Sequence, residues 1–404
     1  MPVLEALEPY DPRKVGPYRI EARLGAGGMG QVFLGRSRSG RAVAVKVVRP
    51  ELAADADFRR RFAREIALAR TVSGFFTAGV VDADPEGRPP WLATAYVPGL
   101  SLEEAVAEHG PWHERDVLVL GAGLAEALES IHAVGVVHRD LKPSNVLLAA
   151  DGPRVIDFGV SVAVEGVRLT RTGMAVGTPG FISPEQLTGA VVGPASDVFC
   201  LGAVLAFTAT GTGPFGGGSW QGLWYRTVHE EPDLAALPPR LRDLVGRCLD
   251  KRPEVRPTAT ALLDELAENV TDGGTLADLY TDSRWLPAPV AQVVRTLLVT
   301  PVPTSDATPG TAPAPAPGAA AEVVRAPGGP ARAATVTNVP AGPAVRDVGT
   351  GPVTPPRTSP SVALLRERES EEDALRRRQS YVMFGIFLLP FLFLLALIFS
   401  RVPY

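Results

Sequence analysis

Val137-His138-Arg139-Asp140-Leu141-Lys142-Pro143-Ser144-Asn145 is followed, after a short hairpin through Asp151-Gly152, by Val155-Ile156-Asp157-Phe158-Gly159. Two carboxylates, a lysine and an amide are thereby gathered on one short piece of chain. Working outward, Gly25-Ala26-Gly27-Gly28-Met29-Gly30 forms a G-x-G-x-x-G. Glycines at a hairpin tip let backbone N–H groups approach phosphates closely, because no Cβ intervenes. The same pattern opens dinucleotide-binding folds, but there it leads into a helix. Here Gln31-Val32-Phe33 follows and alternates as a strand does. Val43-Ala44-Val45-Lys46 then places a lysine on the next strand, within reach of the same phosphates. Val45 and Val47 flank it in a run built for burial, which argues against a merely solvated lysine. Glu65 lies mid-helix in Arg61-Phe62-Ala63-Arg64-Glu65-Ile66 and is the candidate carboxylate to hold Lys46.

In this order the strings resemble the protein kinases of the bacterial, eukaryotic-like (Hanks-type) serine/threonine class. The resemblance covers about Tyr18 to Asn269. It extends to Ser183-Pro184-Glu185, where serine replaces the commoner alanine, to Asp197 in Ala195-Ser196-Asp197-Val198-Phe199, and to Arg256 in RPEVRPT. It implies an α+β, bilobal fold, with a small β-rich N-lobe over about 18–95 and a larger helical C-lobe over about 98–269. The local patterns agree: YRIEARLGAGGMGQVFLG and AVAVKVV read as strands, and VLVLGAGLAEALESIHAVG and VFCLGAVLAFTAT as helices.

The resemblance also implies roles. Asp140 accepts the proton of the substrate hydroxyl and Lys142 meets charge developing on the γ-phosphate of ATP. Lys46 binds the α- and β-phosphates and pairs with Glu65. Asn145 and Asp157 supply oxygens to Mg²⁺, with Mn²⁺ as an alternative ion. ATP is expected against Leu24, Gly25, Ala26, Gly27, Gly28, Met29, Gly30, Gln31, Val32 and Ala44, and along the lobe-joining segment at Thr94, Ala95 and Val97. Thr94 guards the back pocket, and Ala95 stands where many relatives carry Glu. Asp197 is expected to bond the catalytic-loop backbone and Arg256 to pair with Glu185. Lys142 within D-L-K-P-S-N, together with Thr178 in Gly177-Thr178-Pro179, is the serine/threonine form. Thr170 and Thr172 match paired regulatory threonines of the activation loop, where Arg139 is the residue type to receive a phosphothreonine. Dimerisation through the small lobes is known in this class.

Two other readings share the fold. A pseudokinase scaffold would usually have lost at least one of Lys46, Glu65, Asp140, Asn145 and Asp157, and all are present. A small-molecule phosphotransferase would be expected to lack the activation loop and the Ser183-Pro184-Glu185 segment.

Composition locates the rest. The 404 residues carry a net charge of −4, which argues against a nucleic-acid partner. Two cysteines, Cys200 and Cys248, exclude a disulfide framework and a Cys-based zinc site, and fit a reducing compartment. Cys200, inside an apolar helix, reads as core packing. His109, His113 and His132 lack metal-ligand spacing. The 41 glycines and 39 prolines make about a fifth of the chain, against roughly 12% on average. Much of the proline lies between about Pro287 and Pro360, where X-Pro runs such as TAPAPAPG favour an extended tether. Thr300, Thr308, Thr354 and Ser359 each precede a proline there, and are candidate sites for phosphothreonine-binding domain proteins. Trp285, in SRWLPAPV, is too apolar a neighbour for pure linker and is expected to dock on the helical lobe or on a second copy.

Residues 381–400, YVMFGIFLLPFLFLLALIFS, carry no charge. About 20 such residues span roughly 30 Å as a helix, the hydrocarbon thickness. Arg376, Arg377 and Arg378 precede the run and only Arg401 follows it, which puts the large N-terminal part in the cytoplasm. The same arginines suit anionic lipid heads. The expected organisation is an N-terminal extension (1–17), a kinase domain (18–269), a disordered Pro/Ala-rich linker (270–365), a charged juxtamembrane segment (366–380), a single transmembrane helix (381–400) in the cell membrane and a short external tail (401–404). The mean hydropathy of +0.11 traces largely to the final run.

Overall fold

The computed structural model describes residues 4–158, 179–271 and 275–299. All lie in the first of two units, Met1–Pro313 and Ala314–Tyr404. Thr170, Thr172 and Thr178 lie outside the described residues, as do the linker beyond 299, the juxtamembrane segment, the 381–400 run and the tail. No helix among the described residues is long and apolar enough to cross a membrane.

The small lobe is built on six strands: β1 (Lys14–Val15), β2 (Tyr18–Ala26), β3 (Gly30–Arg36), β4 (Ala42–Val48), β5 (Val80–Asp84) and β6 (Trp91–Ala95). Their order is β1-β2-β3-β4-β6-β5, with every neighbouring pair antiparallel. Strand alternation sends Ile20, Phe33, Val43 and Val45 to one buried cluster. The opposite face carries Val32, Ala44 and Lys46, all half-buried. Two helices follow β4, α1 (Pro50–Ala53) and α2 (Ala56–Ala69). Asp55 caps α2 by accepting the N–H groups of Asp57 and Phe58 at 2.8 and 3.1 Å. Apolar residues at 58, 62, 66 and 69 form its buried stripe. Phe58, Phe62 and Ile66 pack with Val48, Leu92 and Met29.

The helical lobe begins with β7 (Leu100–Ser101), α3 (Leu102–His109) and α4 (Glu114–Ala133), then the hairpin β8 (Val146–Ala149) and β9 (Gly152–Val155). Next come α5 (Pro184–Thr188), α6 (Pro194–Thr210), α7 (Trp220–His229), α8 (Pro239–Cys248) and α9 (Ala259–Val270). Capping boxes at Ser101/Glu104 and Ser183/Gln186 fix the starts of α3 and α5. The middle of α6 is buried continuously from Ser196 to Ala206, as an element apolar on all sides must be. Cys200 sits in it with no exposure, and burial pushes its thiol well up.

Packed structure continues past 269, so the first part of the stretch expected as linker, up to 299, is not extended tether. Two further helices, α10 (Leu276–Leu279) and α11 (Ala288–Val299), pack on the helical core. Tyr280 donates its hydroxyl to Val119 O at 2.7 Å, Ser283 N–H bonds Ala150 O at 3.0 Å, and Trp285 Nε1 bonds Ala149 O at 3.1 Å. Trp285 is 1% exposed and lies edge-on to Trp112 and Tyr280. It therefore docks on its own helical lobe, not on a second copy. Glycine makes room at two points: a Cβ on Gly123 would meet the Tyr280 hydroxyl at 2.8 Å, and one on Gly152 (φ +125) would meet Phe76 at 2.3 Å. Pro287 and Pro289 do not oppose α11, because they fall just before and within its first turn, where a missing N–H costs nothing.

Candidate active site

The glycine hairpin joins β2 to β3. Its tip closes by a bond from Gly27 N–H to Gly30 O at 2.9 Å. Arg49 braces it from below, with its guanidinium on Gly27 O at 3.0 Å and its N–H on Met29 O at 3.0 Å. Most of the expected nucleotide residues are at least partly accessible: Leu24, Gly25, Gly28, Gln31, Val32, Ala44, Thr94 and Val97 are half-buried, and Ala26, Gly27 and Ala95 exposed. Register brings Val32 opposite Lys46 and Ala44 opposite Thr94 on one face. Met29 could meet a nucleotide through its backbone alone. Its side chain is 6% exposed and belongs to the apolar cluster under α2, so it faces the small-lobe core and not the nucleotide cleft.

Lys46 departs from expectation. Its ammonium bonds Asp157 Oδ2 at 2.8 Å, and the expected pair with Glu65 is not formed. Asp157 adopts φ +61, a left-handed backbone that L side chains rarely take. That turn brings its carboxylate under β4 and into the reach of Lys46. Burial would raise the Asp157 carboxyl, but the Lys46 charge and hydrogen bond outweigh it and hold the group below the usual carboxylate range.

Below the cleft, Asp140 is the centre of a tight polar cluster. Both of its oxygens accept from Lys142 Nζ, at 3.0 and 2.8 Å. Asn145 Nδ2 bonds Asp140 O at 2.8 Å and Asp140 Oδ2 at 3.0 Å. The amide NH₂ of Asn145 is thereby spent, which leaves its carbonyl oxygen as the acceptor. An amide oxygen and a charged carboxylate, Asn145 and Asp157, form the sparse hard-oxygen set suited to Mg²⁺ that takes its other ligands from phosphates and water.

Asp197, wholly buried, fixes the loop from beneath. Its Oδ1 accepts Arg139 N–H at 2.8 Å and its Oδ2 accepts His138 N–H at 2.8 Å. These bonds hold Arg139 at φ +66. His132 Nε2 adds a third bond to Asp197 Oδ2 at 2.7 Å. The sequence marked His132 only by its lack of metal spacing, and nothing in its position along α4 announced this contact. His138 ties the two motifs together: its Nδ1 accepts Asp140 N–H at 3.2 Å and its Nε2 donates to Ile156 O at 3.1 Å. Farther down, Arg256 and Glu185 form a buried two-pronged pair at 2.7 and 2.9 Å. Burial raises the Glu185 carboxyl, and the bonds from Arg256 and Ser196 bring it below its ordinary value.

A protein kinase domain model matches residues 18–266, and the chain belongs to that family. Its domain is of the serine/threonine protein kinase type. The chain is 51% identical over 296 residues to the "Probable serine/threonine-protein kinase PkwA" of Thermomonospora curvata, covering 73% of this chain and 38% of that protein. It is 53% identical over 287 residues to the serine/threonine-protein kinase AfsK of Streptomyces coelicolor, covering 70% of this chain and 36% of the other. It thus spans little more than a third of the length of these relatives. Among solved structures, the kinase domain of Mycobacterium tuberculosis PknI matches with a TM-score of 0.52 at 26% identity, over 63% of this chain and 96% of that one.

Proposed function

We propose that this chain is an active kinase that moves the γ-phosphoryl group of Mg-ATP to serine and threonine hydroxyls of proteins. The observation that carries this reading is the Asp140 cluster: one carboxylate bonded by Lys142 and Asn145, on a loop whose backbone is fixed by Asp197. Phosphoryl transfer asks the protein for position and charge more than for covalent chemistry. Asp140 orients the acceptor hydroxyl and takes its proton. Lys142, already on Asp140, supplies positive charge as the transferred group leaves. Lys46 exchanges its bond with Asp157 for the α- and β-phosphates, which frees the Asp157 carboxylate. Asn145 and Asp157 would hold Mg²⁺, which when bound neutralises phosphate charge.

Around this core we place the remaining readings. Residues 381–400 anchor the chain in the cell membrane with the kinase domain on the cytoplasmic side. Phosphorylation in trans at Thr170 and Thr172 orders the activation loop against Arg139. The Thr-Pro and Ser-Pro sites recruit phosphothreonine-binding proteins, and small lobes pair between copies.

Incubation with Mg-ATP and a generic protein acceptor tests the activity. Wild type is expected to yield phosphoserine and phosphothreonine, and Asp140→Asn to lose at least about 100-fold in rate, the usual worth of a positioned general base. Equal incorporation by the two proteins would overturn the assignment of Asp140. Mass spectrometry of the same two proteins tests trans-activation, since equal phosphate on Thr170 and Thr172 in both excludes it.

A further inference from the structure

The family match begins at Tyr18, yet residues 4–15 are tied closely to the strand that carries the nucleotide hairpin. β1 turns into β2 through Gly16, and the preceding chain runs back alongside β2. Ile20 N–H bonds Arg13 O at 3.1 Å. At the far end Arg23 and Glu5 exchange two backbone bonds, Arg23 N–H to Glu5 O at 2.9 Å and Glu5 N–H to Arg23 O at 3.1 Å. Leu7 packs on the small-lobe cluster of Val15, Tyr18 and Trp91. The Arg23 guanidinium grips the segment from the side. Its Nε and Nη2 bond both oxygens of Asp11 at 2.7 and 2.8 Å, and its Nη1 bonds Glu8. The Asp11 side chain is 7% exposed and also accepts Glu8 N–H at 2.7 Å, so the segment's own turn is closed by the same carboxylate.

The place of this grip matters. The register between β2 and β3 shifts between Arg23 and Gly25, leaving Leu24 in a bulge. A bulge interrupts the ladder and re-aims the side chains beside it. Arg23 is therefore the last paired residue before the bulge, and only Gly25 and Ala26, paired with Val32 and Gln31, separate the bulge from the hairpin tip. The direction in which Leu24 and Gly25 leave Arg23 depends on how Arg23 is held. Arg49 braces the tip at Gly27 and Met29, so the hairpin is held at its tip and at the base of its first strand.

We propose that residues 4–15 act as a strap that poses the glycine hairpin for ATP, with Arg23, Asp11 and Glu8 as positioning residues that govern nucleotide affinity rather than the transfer step. This rests on the reading of the hairpin as the ATP site. Charge-assisted, two-pronged bonds are the strong ones, and losing them loosens the foot of the hairpin without touching Asp140.

The test is direct titration of the detergent-solubilised full chain with Mg-ATP, alongside steady-state kinetics. Glu8→Gln/Asp11→Asn is expected to bind Mg-ATP about tenfold more weakly, the equivalent of one charge-assisted bond. Its kcat at saturating ATP and its KM for the protein acceptor stay within about twofold of wild type. Arg23→Lys keeps the charge but not the fork, and is expected to fall between the two; it carries the test if the double variant melts poorly. Exchange of Arg23→Asp with Asp11→Arg is expected to recover part of the affinity. Variants that bind Mg-ATP as wild type does, or that lose kcat in proportion to affinity, overturn the strap. A wild type that binds no Mg-ATP overturns the kinase reading instead.

Discussion

Asp197 shows how much one side chain does here. Three N–H donors converge on a carboxylate with no exposure, and two of them set the backbone from which Asp140 projects. Asp197→Asn replaces one acceptor by a donor and leaves a buried N–H without its partner, at about 1–3 kcal/mol. It is expected to lower Tm and kcat together, whereas Asp140→Asn lowers kcat with Tm nearly unchanged. Thermal melts and rates on both variants check this. Lys251 carries a second expectation. Burial depresses its ammonium to about 8 from 10.5, over the Phe215 ring and against Thr227 O at 2.8 Å. Between those values the unfolded chain holds the proton that the folded one has released, so this group's contribution to stability rises with pH. The charge costs stability in full below pH about 8 and stops costing as pH climbs toward 10.5. Calorimetry from about pH 7 to about pH 10 is expected to show wild type gaining Tm relative to Lys251→Met; a constant gap contradicts the assignment.

The identities of Asp140, Lys142, Asn145 and Asp157 were legible because their spacing along one loop and one hairpin is local. Which group Lys46 holds was not, since that choice depends on the left-handed turn at Asp157. The seat of the Met29 side chain was not legible for a related reason: the glycines around it set a hairpin, but the apolar cluster under α2 decides where the side chain goes.

At the scale of elements, α10 and α11 were hidden by composition. The prolines near 287 resemble the proline runs farther along the sequence, and their placement at a helix start is a detail of one turn. Yet Trp285, Val290 and Val294 are buried as deeply as the lobe's central helices. Trp285→Ala is expected to cost about 3–5 kcal/mol, the range for emptying a buried aromatic site. Tyr280→Phe, which strands Val119 O, is expected to cost about 1–3 kcal/mol. Chemical denaturation of each variant measures both. A cost near zero for Trp285→Ala would mean that the segment is not seated as described.

For the whole molecule, the stable fragment is expected to run from residue 4 to residue 299. A fragment of residues 18–269 removes the strap and bares the surface under Trp285 and Tyr280. It is expected to express with a lower Tm and to aggregate, which scanning calorimetry and light scattering would report. The proposed anchor belongs to this scale as well. The full chain is expected to sediment with membranes and a chain ending at Gln379 to remain in the supernatant, and equal partition of the two would remove residues 381–400 from that role.

The strap also bears on how two copies can meet. A sheet's outermost strand presents unpaired backbone donors and acceptors, an open template for another chain. On the β2 side the backbone at Tyr18, Ile20 and Arg23 is already taken by Val15, Arg13 and Glu5. A neighbouring molecule arriving there meets residues 4–15 and not β2, so a strand from a second small lobe cannot add directly to β2, and any pairing across this border has to be made on the strap.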